Sequence, residues 1–535
     1  MKSFFEWFET ENIDKSRPWL ILGKGPTFSL RGAYDLNEFH TLSLNHACRE
    51  QAVLVAHAID VEVIEDLGNI LLDKCQYLVM PWVPHIRYGR HHLIQKFGPS
   101  HLNLPDYCGQ MPVLKQFANE GRLLWYNLAT SPRPPQPGCP VVPVFAFSAT
   151  AALNLLAMAG VKHVRSLGVD GGRTYSESFD DLKEKTLLAA GLKSFDLQFE
   201  EIARTIMTTG IDFAPLHLES PIKVYVGTEI EQMLPMKVLE YSIRKHTSMS
   251  VDIVPLCKAL SEAGITIPSP MNRKRWPRTP FSFQRFAIPA LNGYKGRAIY
   301  LDSDMQVFRD IKELWMWPFG DAQILAVREP AGSGRRSQFS VMVMNCERLD
   351  WDVEKLVRRL DEGDWSYEDL VYQMKPAEAI SQSLPSEWND LERYSEGRTA
   401  LTHYTDMQWQ PWLSTENILG AVWCRDLFEA VRDGFLSLDF VREQVQRGWV
   451  RPSLLYQLEK GVVEPLFIPR SIVRKDAVGF MAPEAEKVFL ERVTFHGRLP
   501  NAVGRYTRLP YAVARHLWNE FGAAGIIKKV KRRFL

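Results

Sequence analysis

The sequence has no long apolar run, no cysteine pairing pattern and no excess of charge of either sign. None of its apolar runs approaches the roughly 20 residues that a helix needs to cross a bilayer. The seven cysteines are scattered, odd in number and free of any Cys-x-x-Cys pair. That usage argues against a disulfide framework or a zinc site and favours a reducing cytoplasm. Lys and Arg number 64 against 63 Asp and Glu, so we expect no nucleic-acid partner.

The amino-terminal residues are not typical of a signal peptide, because Glu6, Glu9, Glu11 and Asp14 place acidic charge within them. A chain of 535 residues is also too long for one ordinary core. We therefore expect two or three domains and no repeat architecture.

Short apolar runs alternate with amphipathic segments through the first part of the chain. Trp19–Leu22, 77–82 and 164–169 predict buried strands, and 150–159 predicts a helix. Such alternation is typical of a mostly parallel α/β sheet. The pattern restarts near residues 215–221, where we place a domain boundary.

The second part of the chain repeats this organisation and then changes. Helices are predicted at 236–245 and 281–291, and strands at 223–226, 297–301, 322–327 and 340–345. Beyond about residue 425 the sequence is mainly helical. The prediction is an α/β protein with two Rossmann-like nucleotide-binding domains, 1–217 and 218–425, followed by a helical region, 426–535.

The clearest candidate site is Asp302-Ser303-Asp304, which follows the apolar run 298–301. Ligand sites in open α/β sheets lie beyond the carboxyl ends of strands. Residues i and i+2 of a strand share a face, so both carboxylates can converge on one hard divalent cation. A short Asp-x-Asp also occurs in solvated turns, but its place after a buried strand favours the metal-binding interpretation.

Further motifs surround this pair. They are Val224-Tyr225-Val226-Gly227-Thr228, the segment 279–291, Arg297 to Asp304, Leu384 to Asn389, and His403-Tyr404-Thr405-Asp406 leading to Pro411-Trp412. In this order, residues 222–412 resemble the retaining glycosyltransferases of family 8, the glycogenin and lipopolysaccharide galactosyl- and glucosyltransferase group. The resemblance implies a GT-A fold, a UDP-sugar donor, Mn²⁺ or Mg²⁺, and a saccharide or lipid-linked glycan acceptor.

The same resemblance assigns roles to individual residues. Asp302, Asp304 and His403 would hold the metal. Val226, Thr228, Arg285, Asp302, Ser303 and Asp304 would bind the donor. Glu368 and Asp369 align with the segment near the anomeric carbon and the acceptor, although acidic residues are equally typical of a solvated helix start.

Three features depart from the family pattern. Asp406 stands where the family has a glycine, and Gln410 replaces a lysine that binds the diphosphate. The usual Asn-x-Gly is missing at 338–340. A neutral amide cannot offset phosphate charge as an ammonium does, so Arg273, Lys274 or Arg275 is a candidate to replace that lysine.

The amino-terminal domain has a glycine-containing turn after its first predicted buried strand, Gly23-Lys24-Gly25-Pro26-Thr27. Glycines permit close backbone approach, and free amides in such a turn could hold an anion. With Asn45, 148–155 and Asp170, this turn resembles the sialyltransferase-like and MptE-like group, domain of unknown function 115. That resemblance implies a nucleotide or CMP-sugar site of Gly23, Gly25, Thr27, Asn45 and Asp170.

Residues 512–535 form a basic amphipathic segment that could lie on an anionic membrane surface or pack as a solvated terminal helix. The preferred interpretation is a cytoplasmic transferase of bacterial surface polysaccharide or lipopolysaccharide synthesis, bifunctional if the first domain is active. The alternatives are a non-catalytic glycan-binding scaffold and a pyrophosphokinase-like first domain.

Overall fold

The computed structural model describes residues 1–86, 102–144, 146–185, 191–218, 221–272, 275, 280–329 and 339–483. The chain divides into two compact units. The first comprises residues 1–220 with 316–321, and the second comprises 221–315 with 322–535. The division into 1–217, 218–425 and 426–535 stays a prediction.

The described residues of the first unit form a nine-stranded sheet in which every pairing is parallel. Its strands are β1 (Lys2–Ser3), β2 (Trp19–Leu22), β3 (His40–Leu44), β4 (Val53–His57), β5 (Cys75–Pro81), β6 (Leu123–Leu128), β7 (Val141–Val142), β8 (His163–Leu167) and β9 (Asp212–Pro215). The order is β1-β6-β5-β4-β3-β2-β8-β9, with β7 beside β6. Its helices are Phe4–Thr10, Val61–Leu67, Ile70–Lys74, Leu104–Gln110, Pro112–Asn119, Ser148–Met158 and Gln198–Thr209.

Strand β2 shows why this part of the sequence forms a parallel sheet. All four of its residues are apolar and buried, as expected for a strand covered on both faces. The chain passes from β2 to β3 on one side and later returns to β8 on the other. The strand order therefore reverses at β2, which places a crevice at its carboxyl end.

The described residues of the second unit form a six-stranded sheet and a three-stranded sheet. The strands are β10 (Ile222–Gly227), β11 (Val251–Pro255), β12 (Arg297–Asp302), β13 (Met305–Val307), β14 (Ile324–Val327), β15 (Val341–Asn345), β16 (Ile380–Leu384), β17 (Asp390–Leu391) and β18 (Leu401–His403). The larger sheet has the order β11-β10-β12-β15-β14-β16, and the smaller one β13-β18-β17. Only β15 runs antiparallel to its neighbours in the larger sheet.

The helices of the second unit are Met233–His246, Leu256–Glu262, Ile288–Leu291, Lys312–Trp315, Val353–Glu362, Tyr367–Val371, Gly420–Arg432, Leu438–Gln446, Ser453–Lys460 and Arg470–Gly479. The predicted single helix at 281–291 is wrong in detail. Residues Pro280–Ala287 form a 3₁₀ stretch, and a short α-helix begins only at Ile288. Pro289 lies in the first turn of that helix, where a missing N–H is tolerated.

The predicted α/β fold class, with two Rossmann-like sheets and helices beyond residue 425, is confirmed. An apolar cluster packs helix Met233–His246 against Gly420–Arg432, and it includes Tyr404, Trp412 and Trp423. The carboxyl-terminal helices thus support the loop that follows β18. In the described part of the chain, no helix combines the length and apolar character that a membrane crossing requires. The basic amphipathic segment 512–535, for which a membrane surface was one of two interpretations, lies outside the described residues.

Candidate active site

The end of strand β12 brings together two carboxylates that are neighbours in sequence and a histidine that is distant from them. Asp302, Asp304 and His403 each offer a ligand atom, and these atoms all lie within 4.8 Å of one another. The three residues are 6%, 8% and 4% exposed, respectively. Strand register places His403 there, because β13 pairs antiparallel with β18 and sets Met305 opposite His403. The Tyr404 N–H also donates to the Asp304 carbonyl at 2.9 Å.

Each carboxylate has one oxygen bound by the protein and one turned toward His403. Tyr300 donates its hydroxyl to Oδ1 of Asp302 at 2.5 Å, and Gln410 donates its amide to Oδ2 of Asp304 at 3.1 Å. The other oxygens lie near His403 Nε2, at 3.9 Å for Asp302 Oδ2 and 3.1 Å for Asp304 Oδ1. Among the described residues Asp304 Oδ1 has no hydrogen bond of acceptable geometry, although it is buried. An orphaned buried carboxylate oxygen is what a cation site leaves when no ion is present.

His403 is held by a partner on its far side. Its Nδ1 lies 3.1 Å from Oδ1 of Asn389. Burial lowers the pKa of His403, but the carboxylates of Asp304 and Asp302 outweigh burial and leave the pKa above its usual value. This imidazole therefore sits in a strongly negative environment.

Arg285 supplies positive charge beside the pair. Its side chain is buried, stacks over the Tyr300 ring at 4.5 Å and donates to the Phe339 carbonyl at 2.8 Å. A second guanidinium nitrogen lies 3.5 Å from Asp302 Oδ1. Arg285 is thus anchored within the protein, and it offsets part of the charge of Asp302.

The remaining predicted donor-binding residues lie at the end of β10 and beside the acidic pair. Val226 is a fully buried sheet residue, and Thr228 exchanges backbone hydrogen bonds with the side chain of Gln284. Ser303 donates its hydroxyl to Gln232 at 3.2 Å. Their contacts are compatible with a binding edge, and their role in holding a donor stays a prediction.

Asp369 has a local structural role. It stands at the third position of helix Tyr367–Val371 and forms a capping box with Ser366, bonded at 2.8 Å and 3.1 Å. These bonds from Ser366 hold the pKa of Asp369 below its usual value. Glu368 is exposed in the first turn of the same helix. Glu368 and Asp369 therefore both lie at the start of a helix, which is the alternative that the sequence left open. Their catalytic assignment stays a prediction.

Of the candidates to replace the family lysine, the structure describes only Arg275. Arg275 donates to the Asp361 carbonyl at 3.1 Å, whereas Arg273 and Lys274 lie outside the described residues. The sequence at 338–340 is described only from Phe339 onward.

The first unit has a cavity of about 510 Å³ at the crevice beyond β2, β3 and β8. Gly23, Gly25, Asn45 and Asp170 line it. Asn45 adopts a positive φ of 53°, and its Oδ1 is buried without a hydrogen-bond partner in the described structure. The predicted site residues are thus neighbours, since Thr27 does not line the cavity itself but is hydrogen-bonded to Asp170, which does.

The idea of free glycine amides in this turn needs correction. The N–H of Gly23 donates to the Leu167 carbonyl, and that of Gly25 donates to the Gly168 carbonyl, both at 2.8 Å. Thr27 and Asp170 bind each other through side-chain and backbone hydrogen bonds. The turn is therefore joined to the loop after β8, and an anion would have to be held by other donors.

Sequence reasoning assigned no role to Tyr300 or Asn389. Tyr300 lies two residues before Asp302 on the same face of β12, so strand periodicity could have linked them. Asn389 reaches His403 across a separation of 14 residues in a short 3₁₀ turn. No local pattern marks that contact.

Comparisons with known proteins bear on the second unit. A sequence model of glycosyl transferase family 8 matches residues 232–367. Protein CDI of Arabidopsis thaliana is 34% identical over 97 residues, which is 18% of this chain and 36% of that protein. The chain thus spans about a third of the length of this curated relative.

Several solved structures overlap part of the fold. The apo form of the glycosyltransferase GlyE of Streptococcus pneumoniae is 18% identical with a TM-score of 0.29, and it covers 39% of this chain and 60% of its own. The bifunctional glycosyltransferase WbbM is 15% identical with a TM-score of 0.29, covering 43% and 57%. The galactosyltransferase LgtC, solved with donor and acceptor sugar analogues, is 12% identical with a TM-score of 0.26, covering 36% and 89%. The match to glycosyl transferase family 8 rests on the sequence model over residues 232–367, which include Arg285, Asp302 and Asp304 and end before His403.

Proposed function

We propose that the second unit is a retaining, metal-dependent glycosyltransferase that moves a hexose from a UDP-sugar to a saccharide or lipid-linked glycan acceptor. The observation that carries this proposal is the convergence of Asp302, Asp304 and His403, buried at a strand end within reach of one another. Two of the three lie in the segment that matches family 8.

The three side chains fit a divalent cation. Two carboxylate oxygens and one imidazole nitrogen form a mixed donor set, which Mn²⁺ accepts more readily than Mg²⁺ does. When bound, such an ion supplies Lewis-acid neutralisation of the charge that develops on the departing nucleoside diphosphate. Arg285, close to Asp302, adds a fixed positive charge to the same edge.

The cellular setting follows from this assignment as part of the proposal. A cytoplasmic enzyme that uses nucleotide sugars suits the synthesis of bacterial surface polysaccharide or lipopolysaccharide. The basic segment 512–535 would add contact with the inner face of the membrane.

The test is UDP release from a panel of UDP-sugars, with and without Mn²⁺, in the wild-type protein and in Asp304→Asn. Asp439→Asn is a matched control, since the Asp439 side chain is 87% exposed in the same unit. We expect Mn²⁺-dependent UDP release that Asp304→Asn loses and Asp439→Asn keeps. Absence of metal-dependent UDP binding in the wild-type chain would contradict the proposal and favour a non-catalytic glycan-binding scaffold.

A second function is favoured by the cavity of the first unit, which lies where the strand order reverses. We propose that this unit binds a nucleotide, as a CMP-sugar transferase would, making the chain bifunctional. Lys24 lines the cavity, and its ammonium lies 4.6 Å from the Tyr175 ring centroid. Among the described residues that line the cavity, Lys24 supplies the side-chain ammonium that could meet a phosphate.

This second function is tested in the full chain carrying Asp304→Asn, which disables the other site. We expect CMP to bind, Lys24→Met to weaken that binding and the exposed Lys183→Met to leave it unchanged. Pyrophosphate transfer from ATP would instead support the pyrophosphokinase alternative. Binding of neither nucleotide would contradict a nucleotide site in this unit.

A further inference from the structure

Gln410 stands where the resemblance predicts a diphosphate-binding lysine, but its contacts point elsewhere. The residue is 4% exposed. Its Nε2 donates to Oδ2 of Asp304 at 3.1 Å and to the Tyr404 carbonyl at 2.9 Å. An amide nitrogen has two hydrogens, so both are used within the protein. Because both neighbours are acceptor oxygens, the amide atom that faces them must be the nitrogen and not the oxygen.

The remaining atom of that amide is unsuited to an anion. Its Oε1 is an acceptor that repels phosphate oxygens, and the group carries no charge. Gln410 therefore offers a diphosphate neither a free donor nor a positive charge.

We infer that Gln410 is a positioning residue for Asp304 rather than a ligand of the nucleotide. This inference rests on the proposed metal-dependent function of the same site. By occupying Oδ2 of Asp304, Gln410 leaves Oδ1 as the free oxygen, 3.1 Å from His403 Nε2. A carboxylate whose rotation is already fixed presents the same oxygen to an arriving cation, so binding costs no further side-chain entropy.

Tyr300 performs the same task for the other carboxylate. Its hydroxyl binds Oδ1 of Asp302, which leaves Oδ2 on the side of His403. The two neutral donors therefore act as a pair, one on each carboxylate. Neither brings a charge that would compete with a divalent cation.

The loop that carries Gln410 is itself fixed. The backbone carbonyl of Gln410 accepts hydrogen bonds from the N–H groups of Leu413 and Ser414 at 2.8 Å and 2.9 Å. The buried guanidinium of Arg451 donates to the next carbonyl, that of Pro411, at 2.9 Å. Tyr404 closes the arrangement, since its N–H donates to the Asp304 carbonyl while its own carbonyl accepts from Gln410. Asp304 is thus held through both its main chain and its side chain.

The experiment compares Gln410→Met with Gln408→Met in the full chain, by calorimetric titration with Mn²⁺ in the absence of nucleotide. Methionine matches glutamine in length but donates no hydrogen bond. Gln408 is exposed on the same loop and serves as the control. We expect Gln410→Met to raise the Kd for Mn²⁺ by about 10-fold to 100-fold, and Gln408→Met to leave it unchanged.

UDP provides the discriminating readout. If Gln410 positions Asp304, UDP binding without metal is the same in Gln410→Met and in the wild type, and only Mn²⁺-dependent UDP binding falls. If the Mn²⁺ Kd is unchanged and metal-free UDP binding weakens, Gln410 is a nucleotide ligand and the inference is overturned. Thermal unfolding of each variant confirms that the site is folded. Gln410→Asn, one methylene too short to reach Asp304, repeats the test should Gln410→Met misfold.

Tyr300→Phe extends the measurement. A double variant with Gln410→Met should bind Mn²⁺ more weakly than either single variant. Because both carboxylates would hold the same ion, the two losses are coupled and are not expected to multiply. A wild-type protein that binds no Mn²⁺ overturns the proposed function together with this inference. A wild-type protein that binds Mn²⁺ as tightly as Gln410→Met overturns the inference alone.

Discussion

The Nδ1 atom of His403 lies 3.1 Å from Oδ1 of Asn389, and this contact determines which nitrogen of His403 faces the two carboxylates. In the neutral tautomer whose Nδ1–H donates to Asn389, the lone pair is on Nε2, the atom 3.1 Å from Asp304 Oδ1. An imidazole oriented by a partner on its other nitrogen is the usual arrangement for a metal-binding histidine.

Replacing Asn389 with Leu should weaken Mn²⁺ binding by about 10-fold to 100-fold, because His403 then loses the acceptor that fixes its ring and tautomer. Calorimetric titration measures the effect directly. Asn389→Asp keeps an acceptor in place and should retain most of the affinity. Equal losses in both variants would show that Asn389 contributes packing and not orientation.

Gly227 allows the Tyr300 hydroxyl to reach Asp302. A Cβ at Gly227 would lie 2.4 Å from the Tyr300 hydroxyl oxygen and 3.1 Å from the Phe281 ring. We expect Gly227→Ala to displace this hydroxyl, to destabilise the second unit by about 1–3 kcal/mol and to weaken Mn²⁺ binding.

Combining Gly227→Ala with Tyr300→Phe separates these effects. Phenylalanine has no hydroxyl to clash, so the double variant should recover part of the stability without recovering the Mn²⁺ affinity. Thermal unfolding and metal titration are measured side by side. A Gly227→Ala protein with wild-type affinity would show that Tyr300 does not need this space.

Gly23 and Gly168 set the contact between two loops of the first unit. A Cβ on Gly23 would lie 2.2 Å from the Gly168 carbonyl oxygen, a backbone atom with little freedom to move. Gly23→Ala should therefore destabilise the first unit by about 1–3 kcal/mol, measured by urea unfolding. Gly32→Ala is the control, since a Cβ there meets nothing within 4 Å. Equal stability of the two variants would contradict the close approach of these loops.

His57 predicts a pH dependence of stability in the same unit. Burial lowers the pKa of His57 to about 3 from 6.5, and its Nε2 lies 2.9 Å from the buried Tyr126 hydroxyl. As pH falls below about 6.5 the unfolded chain takes up this proton and the folded chain does not. The contribution of His57 to stability is therefore present above pH 6.5 and is lost progressively toward pH 3, at up to about 1.4 kcal/mol per pH unit.

A His57→Gln variant removes this titration. When the pH is lowered from 7 to 5, the urea midpoint should fall less for His57→Gln than for the wild type. The exposed His163→Gln should behave as the wild type does. Identical pH slopes in all three proteins would show that His57 accepts a proton while folded.

Arg451 supports the loop after Gln410 from within the protein. It is fully buried and donates to the Pro411 carbonyl, to Ser453 and to Gln457. Arg451→Met leaves these acceptors without a donor and should destabilise the second unit by roughly 2–4 kcal/mol. The exposed Arg447→Met breaks a surface pair with Glu443 and a contact with the Trp449 ring, and it should change stability by less than about 1 kcal/mol. Urea unfolding of both variants tests the difference.

The fold and the first half of the candidate site could be predicted because their signals are local. Continuous apolar runs such as Trp19–Leu22 indicate strands buried on both faces, and β2 has the predicted bounds. Asp302 and Asp304 are two residues apart at a strand end, so one local pattern contains both. The helix at 281–291 was mispredicted because apolar spacing does not distinguish a 3₁₀ stretch from an α-helix when Pro289 interrupts it.

The sequence by itself therefore determined two α/β sheets and an acidic pair at the end of one strand. Tertiary structure decided what surrounds that pair. The register of β13 with β18 brings His403 to Asp304, and the turn that follows β18 brings Gln410. These partners are about a hundred residues away in sequence, and no local periodicity encodes such a distance. Resemblance singled out His403 and the position of Gln410, but only packing showed that the Gln410 amide binds Asp304. The physical reason is that a buried polar group binds whichever partner strand pairing and packing place within 3 Å or so of it.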